Sequence, residues 1–309
     1  MRALMWFRAD LRIRDNTALS AACTAASDGV VAVFTACPEQ WREHDWGDMR
    51  VDFVRRSVQA LHKGLEGRNI ALKIIVRDRF AGIEDDLVTL AKEQDCTALF
   101  FNEEYEVNER SRDAKVTAKF KEAGLTVRSF HDQVVVPPGE LSTKEGKPYT
   151  VYSPYKRRWS ENYKDGRAAR AQGLPKKQAA IVGVPDAVPD RFGDFDPNGG
   201  RPDLWTAGED QALSRLGSFI DSRLMPYKEE RDYPGINGTS TISPYLAVGA
   251  VSPRQCIETA LDANKGKLDS GGKGPVHWMS EGIWRECYRQ ILVAFPRVCK
   301  GRAFNRKYD

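Results

Sequence analysis

The segment Tyr227–Arg254, YKEERDYPGINGTSTISPYLAVGAVSPR, read together with Trp278–Tyr288, WMSEGIWRECY, decides how the rest of this sequence is understood. Its entry, Pro234-Gly235-Ile236-Asn237-Gly238, is turn chemistry, and it runs into the hydroxyls of Thr239, Ser240, Thr241 and Ser243. A glycine that tolerates positive φ, followed by hydroxyl and amide donors opening a helix at Ser243-Pro244, suits a phosphate. Such clusters before a proline are far more often plain helix caps, so this signal is weak alone. The second segment strengthens it. As a helix it places Trp278, Glu281, Arg285 and Tyr288 at i, i+3, i+7 and i+10 on one face, with Trp284 at the border. The plain alternative is an amphipathic helix carrying an ion pair. A core-facing stripe rarely holds two tryptophans, a Glu and an Arg, because buried charge is costly unless paired. A ligand with phosphates and an aromatic ring uses all of them.

Outward from this stretch the texture of the chain changes twice. Ala3–Phe7, Val30–Phe34, Leu72–Val76, Ala98–Phe101 and Thr126–Phe130 are short apolar runs suited to buried parallel strands. Helical patterns separate them: Val51, Val54, Val58, Leu61 and Leu65; Ile83, Leu87 and Leu90; then Val116, Phe120 and Ala123, closed by Gly124. Strands alternating with single helices imply an α/β unit with a doubly wound parallel sheet. No GxGxxG follows the first strand, so a standard dinucleotide site is not indicated there. Arg8-Ala9-Asp10-Leu11-Arg12 falls beyond the carboxyl end of that strand, where ligands collect in such sheets.

From Asp132 to about Trp205, turn signals such as Pro137-Pro138-Gly139 and Asp196-Pro197-Asn198-Gly199-Gly200 replace the periodic runs. Tyr152-Ser153-Pro154-Tyr155-Lys156-Arg157-Arg158-Trp159 is the exception, with a helix expected after Pro154. A solvated basic helix packed across the linker is a better reading of it than a DNA contact. Beyond Ala207 helices are expected at Glu209–Leu224, Ser243–Val248, Pro253–Ala263 and Val276–Phe295. The expected division is an α/β unit over 1–132, a linker over 133–205 and an all-α unit over 206–309.

Composition sets bounds without choosing a function. The 309 residues, 41% hydrophobic and 29% charged, suffice for two domains, and no apolar run reaches the roughly 20 residues of a membrane span. MRALMWFRADLR opens as a strand with charges where a signal peptide needs an unbroken apolar region, so the cytoplasm is the expected compartment. The six cysteines are scattered without a CxxC pair, which indicates neither a zinc site nor a disulfide framework. A net charge of +4 is compatible with nucleic-acid binding and decides nothing.

GTSTISPYLAVGAVSPRQC, the WMSEGIWRECYRQIL segment, the opening WFRADLRIRDN and YEVNERSRD together resemble the DNA photolyase/cryptochrome family, nearest its cyclobutane pyrimidine dimer photolyases with a folate antenna. The resemblance implies a Rossmann-like antenna domain, a long linker and the first part of a helical FAD-binding domain. It implies FAD contacts at Tyr227, Thr239, Ser240, Thr241, Ile242, Ser243, Trp278, Glu281 and Arg285. It implies a 5,10-methenyltetrahydrofolate pocket at His44, Asn108, Glu109, Cys299 and Lys300. A pterin edge pairs well with a carboxylate and a carboxamide, and Lys300 suits the acidic tail of a folate. Seen alone, His44 reads as a surface-loop histidine, and Asn108-Glu109 as a solvated first helical turn. The implied partner is UV-damaged DNA. A dimer flipped from the duplex would stack on Trp284, bond through its base edge to Glu281, and have its phosphate held by Arg231, making Glu281 and Trp284 the catalytic pair. The alternative for Arg231 is a solvated charge run.

The function so implied is light-driven, FAD-dependent splitting of pyrimidine dimers by a monomeric lyase. A blue-light photoreceptor of the cryptochrome type is the rival, against which Glu281 and Trp284 argue. The family continues past the point where this sequence stops. The expectation is therefore a truncated chain whose α/β unit folds alone, whose flavin pocket is half built, and which is not an active photolyase; a non-catalytic remnant is the third reading.

Overall fold

A computed structural model describes residues 1–308. In chain order it contains β1 (Arg2–Phe7), α1 (Thr17–Ala25), β2 (Val30–Ala36), α2 (Pro38–Glu43), α3 (Asp48–Glu66), β3 (Ala71–Val76), α4 (Ile83–Glu93), β4 (Cys96–Asn102), α5 (Val107–Glu122) and β5 (Thr126–Phe130). There follow α6 (Tyr152–Lys164), α7 (Glu209–Ser222), α8 (Tyr227–Glu230), α9 (Ser243–Val248), α10 (Pro253–Ala263) and α11 (Lys273–Ala294), with 3₁₀ turns at Pro296–Lys300 and Arg306–Tyr308. The five strands form one parallel sheet in the order β3-β2-β1-β4-β5. The order reverses between β1 and β4, so the crevice past their carboxyl ends is where a doubly wound sheet offers a site. The expected α/β unit followed by helices is the architecture observed.

Side chains of β1 alternate between two cores. Leu4 and Trp6 face α4 and α5, while Ala3, Met5 and Phe7 join a core that continues through α6 and α7 into α10 and α11. The sheet is therefore covered on one face by its own crossover helices and on the other by a layer shared with the rest of the molecule. Backbone approach is close there. A Cβ on Gly249, at φ 71°, would stand 2.2 Å from the Ala9 carbonyl, and one on Gly274 would stand 2.0 Å from that of Leu224. The first lets the end of α9 lie against the loop after β1, where the Leu11 amide donates to the Val248 carbonyl at 3.0 Å.

The connection between β5 and α7 wraps the molecule. Asp186 binds Lys73 and accepts from the Ile74 amide at 2.9 Å beside the edge strand β3. Phe192 is buried against Phe34 and Trp41. Helix α6 differs from the solvated helix expected from its charges: Tyr155, Trp159 and Tyr163 are buried at 0–3% exposure, and Trp159 Nε1 donates to Glu286 of α11 at 2.7 Å. The aromatic residues at i, i+4 and i+8 form one face, and that face outweighs the basic residues on the other.

Candidate functional site

The hydroxyl stretch does not behave as a helix cap. Helix α9 begins after Ile242, with no side chain capping its first amides, and six residues are too few to contribute much of a helix dipole. Ser240 and Ile242 are buried, whereas Thr239 and Ser243 are exposed. Thr241 sits at φ 49°, a strained position for a β-branched residue, and its Oγ1 accepts from Arg215 Nη1 at 2.7 Å. Arg223 Nη1 donates to Asn237 Oδ1 and to the Thr239 carbonyl, each at 3.0 Å. The two arginines on and after α7 thus frame the hydroxyl turn. Their positions give no sequence signal, because only the folded turn brings them to Asn237 and Thr241.

Helix α11 carries two faces. Met279, Ile283, Glu286, Cys287 and Gln290 are buried against the rest of the molecule. Along its other side run Trp278, Glu281, Trp284, Arg285 and Tyr288. Trp278 and Tyr227 both pack on Phe219, at 5.2 and 5.8 Å between ring centroids, so these two pin α8 to α11. Glu281 pairs with Arg231 and lies 3.6 Å from His277 Nε2. Arg231 therefore bridges its local charge run, through Asp232 at 3.5 Å, to the helix that the resemblance assigns to the same site. Trp284 stacks on Tyr152 at 3.6 Å. Arg285 Nη1 donates to the Gln133 carbonyl at 2.7 Å, and burial, then Arg289, lowers its pKa. It forms no ion pair with a carboxylate among the described residues, although Glu286 and Glu106 are near enough to oppose the lowering.

Glu286 went unread in the sequence although it shares the buried stripe of Met279 and Ile283. Its carboxylate accepts from the amides of Val135 (2.5 Å) and Val136 (3.2 Å) and from Trp159, tying the start of the linker to α11. Burial raises its pKa against these three donors.

The second group of residues lies at the carboxyl end of the sheet. A cleft is lined by Arg8, Thr35, Trp41, His44, Glu109 and Arg112, among others. Arg112 Nη2 binds Glu104 at 2.6 Å and Asp113 at 2.7 Å, and Arg8 Nη2 binds the Asn102 carbonyl at 2.5 Å. Two buried polar atoms stay without a partner here, Arg8 Nη1 and Glu109 Oε2. Burial, followed by repulsion from Glu104, raises the Glu109 carboxyl to about 7. Asn108 Nδ2 lies 3.3 Å from His44 Nε2, so three of the five residues assigned to an antenna gather at one place. Cys299 and Lys300, on the 3₁₀ turn after α11, are not part of the cleft lining.

Between the two regions runs a seam of buried charge. Arg254, at 1% exposure on α10, donates to Asp15 at 3.0 Å and to Asp132 at 2.7 Å, and Arg12 reaches Asp132 at 2.5 Å. Burial alone would raise the Asp132 carboxyl, but Arg12 and Arg254 hold it well below the usual range. No grouping of metal-ligating side chains and no helix long and apolar enough to cross a membrane occurs among the described residues.

Comparison with known proteins agrees with this arrangement. The family model described as DNA photolyase matches residues 3–177. The deoxyribodipyrimidine photo-lyase of Escherichia coli is 33% identical over 301 residues, spanning 97% of this chain and 62% of that protein. Its Vibrio cholerae counterpart is 32% identical, over 97% of this chain and 63% of the relative. Among solved structures, a bacterial class III photolyase from Agrobacterium tumefaciens superposes with a TM-score of 0.78 at 28% identity, covering 96% of this chain and 60% of that one. A cryptochrome from Synechocystis, at 20% identity and a TM-score of 0.73, shares the fold. The chain thus spans a little over three fifths of the relatives it matches. With a doubly wound sheet, a cleft at its switch point and a helical layer carrying the hydroxyl turn, this chain belongs to the DNA photolyase family.

Proposed function

We propose that this protein is, or is the larger part of, a light-driven deoxyribodipyrimidine photo-lyase acting on pyrimidine dimers in DNA. The observation that supports the reading is the Arg231–Glu281 pair with Trp284 one turn further along the same helix, in a chain that also holds a hydroxyl turn framed by Arg215 and Arg223. Glu281 offers a carboxylate to a base edge, Trp284 an aromatic surface for an extruded base, and Arg231 a charge for phosphate. FAD would be held by Tyr227, Thr239, Ser240, Thr241, Ile242, Ser243, Trp278, Glu281 and Arg285, with the unpaired Arg285 facing its anionic part. Bound and reduced, it would supply a photoexcited electron to the dimer and take it back once the cyclobutane ring has split. The chain's own residues bind the lesion, orient it and keep it from water.

His44, Asn108 and Glu109 would hold a 5,10-methenyltetrahydrofolate antenna, joined by Cys299 and Lys300 at its outer end. The unpartnered Glu109 Oε2 supports this, since a pterin edge presents the donors that such a carboxylate lacks. We take the protein to be a cytoplasmic monomer. The test is light-dependent loss of thymine dimers from an oligonucleotide in the presence of FAD, beside Trp284→Ala. That variant is expected to weaken binding of dimer-containing DNA by roughly 1–3 kcal/mol, the worth of one base–aromatic stack. Dimers that survive illumination when the full-length protein is used, or equal binding of damaged and intact DNA by protein and variant, would refute the assignment.

A further inference from the structure

We propose that Tyr152 is a positioning residue for lesion recognition: it backs the Trp284 indole and leaves the opposite face to an extruded base. The inference rests on the function proposed above. The Tyr152 and Trp284 rings lie 3.6 Å apart between centroids and 8° from parallel, a full-face contact. The phenol cannot slide away. Its hydroxyl meets the Ser280 carbonyl at 2.8 Å and the Ser280 Oγ at 2.5 Å, and Lys156 Nζ reaches the same Oγ at 3.2 Å. One and two turns further along α6, buried Tyr155 and Trp159 fix the helix to α11 through Gln290 and Glu286.

Tyr288, the other ring stacked on Trp284, lies farther off, at 5.4 Å and 24°, and is 58% exposed, so its contact is the looser and more displaceable of the two. Of the two ring contacts, that of Tyr152 is the tighter on the indole. A base that stacks on Trp284 extends a column already begun by Tyr152 and meets an indole whose rotamer is fixed in advance. Binding then loses less side-chain freedom than it would with a loose tryptophan. The basic-aromatic segment acts in recognition through Trp284 rather than by touching DNA with its arginines.

The experiment measures the ratio of dissociation constants for one duplex with and without a single thymine dimer. It compares the unaltered chain with Tyr152→Ala, Tyr152→Phe and Trp284→Ala. Tyr152→Ala is expected to lower the preference for the dimer roughly three- to tenfold, the worth of an aromatic pair, whereas Tyr152→Phe keeps the ring and most of the preference. Fluorine NMR of protein carrying 5-fluorotryptophan reports the contact without DNA, the Trp284 resonance being the one lost in Trp284→Phe. It should shift and broaden in Tyr152→Ala and stay near its place in Tyr152→Phe. A Trp284 resonance unmoved in Tyr152→Ala overturns the proposal. So does a preference that falls in Trp284→Ala but not in Tyr152→Ala, an outcome that leaves the functional assignment standing. Absence of any preference in the unaltered chain removes both, and the resonance then shows whether the stack itself was present.

Discussion

At the seam, Arg12, Asp15, Asp132 and Arg254 pair with one another at 0–2% exposure: both carboxylates are matched by guanidinium donors, and only Arg12 Nε among the described polar atoms of the four lacks a partner. In the cleft, about one strand away, Arg8, Glu104, Glu109 and Arg112 are as closely gathered, yet Arg8 Nη1 and Glu109 Oε2 find no partner. Both clusters sit at the carboxyl end of the same sheet. The seam matches every carboxylate with a cation and leaves one guanidinium nitrogen over, which is what a structural joint requires. The cleft keeps a donor and an acceptor in reserve, which is costly in an empty protein and is repaid by a ligand presenting the complementary groups.

The largest effect that sharpens this contrast is expected at the seam. Arg254→Met removes one cation from between two buried carboxylates and should cost about 3–5 kcal/mol in chemical denaturation. Because Asp132 is held below its ordinary pKa, the stability it lends is fully present above the unfolded value and is lost progressively as pH falls from there through the lower folded value. The parent should therefore be steeply acid-labile below about pH 4, and the variant much less so. The same residues speak against an α/β unit that stands alone. Arg254 lies beyond residue 206, so separating the two expected units leaves Asp15 and Asp132 buried without it. A loss under about 1 kcal/mol in Arg254→Met would make the seam as dispensable as a surface pair.

The seam also marks where sequence reading ends. All five strands and, in the second half, α7, α9, α10 and α11 could be read from period and turn chemistry, because those signals are local, whereas the four-residue α8 is too short to show a period; the capping box of Ser252 and Gln255 is one more local signal. Arg231, Glu281 and Trp284 were legible as a set only through the resemblance. Arg254 carries no such mark, since its partners stand 239 and 122 residues away. Tyr152 was visible but was masked by the charges that follow it. Glu286 could have been found, as a carboxylate in step with Met279 and Ile283 on a helix that must bury that side.

An intermediate effect is expected in the cleft, with the opposite sign. Glu109 has its pKa raised to about 7 by burial, by Glu104 and more weakly by Glu106, against the pull of Arg112. A raised acid binds its proton more tightly when folded, so the cost of ionising it is absent below about pH 4.5, grows through the interval, and is complete above about pH 7. Stability should fall as pH rises across that window. Glu109→Gln should flatten the fall and stabilise the protein at pH 8 by about 1–2 kcal/mol, allowing for partial access of water. Denaturation midpoints at pH 5 and pH 8 decide it. A variant less stable than the parent at pH 8 would mean that the carboxylate is satisfied after all, and that the cleft resembles the seam.

The smallest effect is expected at the rim, which differs from both. Glu281 and Arg231 pair with each other, but their side chains are 37% and 27% exposed, and His277 stands 3.6 Å from the same carboxylate oxygen. Water screens such a pair, and holding two long side chains together uses much of the attraction, so its net worth is below about 1 kcal/mol. Weak pairing is what a recognition site needs. Groups that are to meet a base edge and a phosphate must leave each other at little cost, which the seam arginines cannot do. Glu281→Gln, which keeps the shape and some hydrogen bonding, should therefore shift the denaturation midpoint by less than about 1 kcal/mol, and by less still in 0.5 M salt, where the Debye length falls to a few ångströms. Its effect should appear in the preference for dimer-containing DNA instead. A destabilisation above about 2 kcal/mol with that preference unchanged would class Arg231 and Glu281 with the seam, as residues that hold the helices together rather than meet the lesion.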